Sequence, residues 1–102
     1  MGLPPIGPEL LRRREEILAV LSRHSARNPR IASIRDDGAV RLGSLRIAEL
    51  LVEWADGDPD PVRWGSLQGE LSTMLGFQVD IVTEPTLEDA RRQQVMRDAP
   101  PL

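Results

Sequence analysis

The side chains able to do chemistry here are carboxylates, arginines and a single histidine: 16 acidic residues, 13 basic ones that are all arginine, His24, and no cysteine or tyrosine. The carboxylates crowd into one stretch, where Glu49, Glu53, Asp56, Asp58 and Asp60 follow one another with no basic residue between them. Grouped carboxylates are what a hard divalent cation needs, yet Asp56, Asp58 and Asp60 lack the downstream glutamate and full ligand ladder of a calcium loop. Residues 55–59 therefore read as an exposed acidic loop. His24 falls near the end of an expected helix with no acid close in sequence to orient it as a base, so its simplest use is to complement the helix dipole. Arg12, Arg13 and Arg14, followed by Glu15 and Glu16, read as a solvated helix face. Their alternative use is docking onto an acidic partner or a phosphate.

At 102 residues the chain has room for one modest core and one function. We expect a flexible lead over residues 1–7 and a single domain over 8–102. A net charge of −3 gives no whole-molecule field favouring nucleic acid or an anionic membrane, and three aromatic residues provide no stacking platform for single strands. Without cysteine there is no disulfide framework, thiol nucleophile or zinc–thiolate site. No long apolar run or signal-peptide pattern is present, which implies a cytoplasmic protein.

The elements that must position these groups are best marked over residues 60–83. Asp60 and Pro61 start a helix whose face carries Trp64, Leu67, Leu71, Met74 and Leu75, and Gly76 ends it. Phe77, Val79 and Ile81 then alternate with Gln78, Asp80 and Val82, the period of a strand with one face on a core and Asp80 turned away from it. Upstream, Pro8 opens a helix with an apolar stripe of Leu11, Ile17, Leu18 and Leu21 that ends at Asn28-Pro29. Residues 30–42 read as two short strands joined by Asp36-Asp37-Gly38. Residues 45–54 are ambiguous: Ser44 suits a helix cap, Leu50-Leu51-Val52 a buried strand, and local signals lean to helix. A last helix starts at Pro85 with Thr86 as its cap and carries Leu87, Ala90, Val95 and Met96.

In order and spacing, Arg27-Asn28-Pro29-Arg30-Ile31, Leu50-Leu51-Val52, the amphipathic helix with Gln78-Val79-Asp80-Ile81-Val82-Thr83, and the ending Ala99-Pro100-Pro101-Leu102 resemble the minimal nucleotidyltransferase family over residues 9–102. The resemblance implies an α/β (α+β) fold, a small nucleotidyltransferase-like sheet of three or four strands with helices packed mainly on one face. It also makes residues 45–53 a strand. In that family a Gly-Ser turn after the first strand holds nucleotide phosphates. An Asp-x-Asp pair on the second strand and an Asp on the next hold magnesium, with one carboxylate activating the attacking hydroxyl.

Carried onto this chain, the Asp-x-Asp pair is Ile47-Ala48-Glu49, the third carboxylate is Asp80, and the Gly-Ser turn falls on Ser33-Ile34, with Gly38 the remaining glycine of a degenerate phosphate loop. Isoleucine coordinates nothing, and a glutamate displaces its oxygens from an octahedral site. Glu49 and Asp80 remain as residual catalytic and metal candidates. The implied function is a catalytically degenerate antitoxin that neutralises a helical HEPN-type ribonuclease toxin by binding it without a cofactor. Arg12, Arg13, Arg14, Arg91 and Arg92 are its candidate docking residues, and a homo- or hetero-oligomer fits a sheet with an exposed edge. Two alternatives stand beside it. One is an active transferase using Mg2+ and ATP through Glu49 and Asp80, with Asp36, Asp37 or Glu53 as displaced third ligand. The other is a DNA-binding autoregulator, which the net negative charge disfavours.

Overall fold

Asp60 accepts the backbone N–H of Arg63 at 2.9 Å, Pro61 occupies the first helical turn, and Gly76 takes the left-handed conformation (φ 80°) that ends the helix. These three positions set the limits of the longest element in the computed structural model, which describes residues 4–37 and 45–102. The element order is α1 (Ile6–Arg12), α2 (Arg14–Arg23), β1 (Ala26–Asp36), β2 (Arg46–Trp54), α3 (Pro61–Leu75), β3 (Gln78–Val82), a 3-10 turn (Glu84–Thr86) and α4 (Asp89–Asp98). The strands form a mixed sheet in the order β1-β2-β3, with β1 antiparallel and β3 parallel to β2. Parallel strands need a crossover, and α3 is that crossover.

Two apolar clusters cover the two faces of the sheet. On one face Ala48, Leu50, Val52, Phe77, Val79 and Ile81 pack with Ile6 and Leu10 of α1, Ile17 and Leu21 of α2, and Leu67 and Leu71 of α3. On the other, Leu51 packs with Leu87 and with Val95 of α4. Three helices thus share one face and α4 crosses the other, so Leu50-Leu51-Val52 is buried throughout. A strand covered on both sides loses its alternation, which is why the local pattern of residues 45–54 suggests a helix where the chain forms β2. No helix among the described residues is long and apolar enough to cross a membrane.

Groups outside the sheet meet part of each of its edges. Ile31 N–H donates to Pro100 C=O at 2.9 Å and Leu102 N–H to Pro29 C=O at 3.0 Å, so the segment 100–102 runs along β1 and buries Leu102. On β3, Gln68 Oε1 accepts the N–H of Ile81 (2.8 Å), Ser72 Oγ accepts that of Val79 (2.9 Å), and the Trp64 indole donates to Ile81 C=O (3.1 Å). These three side chains recur every fourth residue along α3 and replace the strand that would otherwise pair there.

Several expectations are corrected. The first helix begins at Ile6, so Pro8 lies within its first turn, and Ile6 and Gly7 of the expected lead are helical, with Ile6 fully buried. It breaks at Arg13, resumes as α2 and ends at Arg23, because Ser25 and Asn28 both take positive φ and the chain enters β1 before Asn28-Pro29. β1 runs unbroken from Ala26 to Asp36 and pairs with β2, while the second arm and Gly38 of the expected hairpin, with Gly43-Ser44, lie outside the described residues. Thr86 does not cap α4: its hydroxyl bridges Thr83 N–H (3.2 Å) and C=O (2.8 Å) in the 3-10 turn, and α4 starts at Asp89.

If the side-chain finish of β3 supports the sheet, Gln68→Ala, which strands the Ile81 N–H, lowers stability by about 1–3 kcal/mol in urea unfolding, with no change in slope. Gly76→Ala meets no atom within 4 Å. Its loss, about 1–2 kcal/mol in the same experiment, is the conformational cost of a left-handed alanine alone.

Candidate functional site

Ser33, Glu49 and Asp80 stand in one row across the sheet: Ser33 is the register partner of Glu49, and Glu49 of Asp80. The two-residue period sends Glu49 and Asp80 to the face opposite Ala48, Leu50, Val79 and Ile81, towards α4. The sheet thus brings the two residual carboxylates side by side. Ile47, two residues before Glu49 on the same face, pairs with Gln78, and Gln78 Nε2 donates to Asp80 Oδ1 at 3.0 Å.

Glu49 is already occupied. Ser33 Oγ donates to its Oε1 at 3.0 Å, and the Arg91 guanidinium from α4 grips both carboxylate oxygens, Nη2 on Oε1 and Nη1 on Oε2 at 3.3 Å. Such a two-pronged pairing satisfies charge and geometry together. Beside it, Ser33, Arg91, Gln94 and Asp98 line a shallow depression of about 280 Å³. Among the described residues no group of three or more His, Cys, Asp or Glu side chains is placed to hold a metal ion.

The other suggested ligands are engaged elsewhere. Asp36 accepts the Ile6 N–H (3.0 Å) and pairs with Arg46 (3.2 Å), Asp37 accepts the Leu45 N–H (2.9 Å), and Glu53, near the far end of β2, holds Asn28 (2.9 Å) and Arg27 (3.5 Å). Ser33-Ile34 lies inside β1 and makes no turn, because β1 continues to Asp36 against Arg46. The chain is extended at that position.

The arginine run is also internally paired. Arg12 binds Glu9, Arg14 binds Glu15, and Arg13 binds Glu16 while donating to Met74 C=O at 2.6 Å. The Arg12 and Arg13 hydrogen bonds hold the Glu9 and Glu16 carboxyls below their ordinary value. Arg13 is therefore a clamp on the last turn of α3. Arg92 pairs with Asp89 one turn away. His24 has a distant acid after all: its Nε2 lies 2.9 Å from Glu70 Oε1, and Arg23 binds the same carboxylate, which ties α2 to α3. Sequence reading missed this contact because the partner is 46 residues away.

A three-stranded mixed sheet with a parallel β2/β3 pair, and a carboxylate row on its α4 side, defines a nucleotidyltransferase-like scaffold. A solved structure described as a candidate minimal nucleotidyltransferase superposes with a TM-score of 0.67 at 34% identity, covering 93% of this chain and 94% of that one. The chain belongs to the minimal nucleotidyltransferase family. No family model matches it, and no curated protein does.

The Glu70 carboxyl is held below its ordinary value of 4.5, first by the His24 hydrogen bond and then by Arg23. A depressed carboxyl contributes stability that is present above the ordinary value and lost as pH falls through the lowered one. Unfolding midpoints followed into the acid range should therefore fall in that window, and Glu70→Gln should flatten that part of the profile while leaving the remainder parallel.

Proposed function

We propose that this chain is a nucleotidyltransferase-fold antitoxin that no longer transfers nucleotides and neutralises a helical HEPN-type ribonuclease toxin by direct, stoichiometric binding. The observation that carries the loss of chemistry is the Arg91–Glu49 pair. Magnesium needs near-octahedral oxygen donors, and of the three positions that would supply them one is Ile47 and one is Glu49, whose oxygens already face a guanidinium. A fixed positive charge beside Glu49 repels a divalent cation and also neutralises the carboxylate that would attract it. The residues present do not fit the ion, and Arg91 in its place ties α4 to β2.

Binding without chemistry is supported by what the family scaffold keeps. The two faces of the sheet are packed and the β3 edge is met by α3 side chains, so the fold stands without the site, and function follows the surface that remains. The exposed acidic loop at residues 55–58 and the outer face of α1, where Leu11 is 60% exposed among charged neighbours, offer a partner both charge and apolar area.

The active-transferase reading has one observation in its favour, the direct register of Glu49 with Asp80. The two readings separate in one experiment. Incubated with magnesium and labelled ATP, the purified protein should transfer no label to itself or to a helical ribonuclease encoded beside it, and calorimetry should show no magnesium-dependent binding of ATP. It should nevertheless inhibit that ribonuclease at equal stoichiometry. Transfer that vanishes in Asp80→Ala would restore the enzyme reading. The triple variant Ile47→Asp, Glu49→Asp, Arg91→Ala should gain magnesium binding that the parent lacks.

A further inference from the structure

A cavity of about 700 Å³ opens at the carboxyl ends of β2 and β3, between α2, the start of β1 and the end of α4. It lies beyond the Glu49 row: its β2 wall begins at Leu51 and reaches Trp54, five residues past Glu49 and about 16 Å along the strand. Small-ligand pockets fall within about 300–1,000 Å³, and open sheets with parallel strands bind ligands beyond the strands' carboxyl ends.

Two buried side-chain donors among the described residues have no acceptor, Trp54 Nε1 and Thr83 Oγ1, the latter only facing the Thr86 N–H in the capping box of the 3-10 turn, and both residues belong to the wall of this cavity. Trp54 is 9% exposed and Thr83 4%. Buried polar groups in folded proteins are nearly always paired, so two orphans in one wall call for a common cause. The neighbouring indole sets the contrast. Trp64 lies 5.5 Å from Trp54, ring to ring, and its N–H is satisfied by Ile81 C=O. The orphan is thus a property of the Trp54 position.

We infer that this cavity is a binding site for a small organic molecule presenting an acceptor oxygen, a carbonyl or a carboxylate, on an apolar body. An indole N–H can only donate, so its partner must be an acceptor, and the Thr83 hydroxyl adds a second donor. Leu18 and Met96 supply apolar wall. Both orphaned atoms are covered in the present conformation; rotation of Thr83 about Cα–Cβ, and of the half-buried Leu18 that packs against the cluster holding Trp54, gives the ligand access. The rim carries both signs, Arg14 and Arg30, the latter with one N–H on Met96 C=O, against Glu53, Asp58 and Glu84, so selection rests on the neutral donors inside.

The test is the indole N–H resonances of the folded protein, assigned with Trp64→Phe and titrated with hexanamide, hexanoate and hexylammonium. The two acceptors should shift the Trp54 resonance saturably and hexylammonium should not; the tighter of the two names the charge of the acceptor. Thr83→Val should weaken the binding about five- to tenfold and Thr83→Ser should restore it. Absence of a saturable shift with all three probes, leaving water as the partner, or equal binding of hexylammonium, overturns the inference. The antitoxin reading is tested separately, by nucleotide transfer and ribonuclease inhibition, so failure of one leaves the other standing.

Discussion

A three-stranded sheet is stable here because one helix completes an edge that no strand covers. Trp64, Gln68 and Ser72 repeat at four-residue spacing on α3 and meet the outward backbone groups of Val79 and Ile81. The same helix buries Leu67 and Leu71 against the sheet, so one element is both the crossover between parallel strands and the terminus of the hydrogen-bond ladder. Unpaired edge groups invite pairing with another chain. Satisfying them internally directs any partner to side-chain surfaces. The register it locks places Asp80 opposite Glu49.

That register holds the Ser33–Glu49–Asp80 row in place whether or not chemistry is done there. The positions in the row are set by strand pairing alone and do not depend on a bound ion. Ser33 and Arg91 meet Glu49 with the hydrogen bonds and charge that a buried or half-buried carboxylate requires. α4 gains a polar anchor on a face where its apolar contribution is small, since Val95 is its one buried residue. The pair is partly exposed, with Arg91 42% accessible, so its energetic worth is modest and its main effect is positional.

How legible the fold was depended on whether each signal was local. α3 could be read to the residue and β3 to within one residue at each end, because Asp60, Pro61 and Gly76 act through their own backbone and the apolar periods on either side change from helix to strand at Gly76. β2 could not, because two helical layers cover Leu50-Leu51-Val52 and erase the alternation that marks a strand. Family resemblance supplied it instead. The β1 start was misread for a related reason: Asn28-Pro29 looks like a helix stop, but the stop lies earlier at Ser25, and Pro29 sits in an edge strand where its missing N–H costs nothing. In the site, residue types were readable and partners were not. Arg91 meets Glu49 across 42 residues and Glu70 meets His24 across 46, distances at which sequence carries no pairing signal.

The two ends of the sheet differ in a way that bears on what the chain can still recognise. At the Glu49 row, polar groups outside the backbone are matched to one another: Ser33 and Arg91 to Glu49, Gln78 to Asp80. At the carboxyl ends of β2 and β3 the balance is reversed, with an open volume and two donors left without acceptors. A matched set of charges has little to offer a newcomer, because any ligand must first displace an existing partner and recover its desolvation. An unmatched donor in an apolar wall carries that penalty already, so a ligand bringing an acceptor removes it on arrival. By this physical criterion, a ligand bringing an acceptor is favoured more at the end where the strands finish than at the Glu49 row.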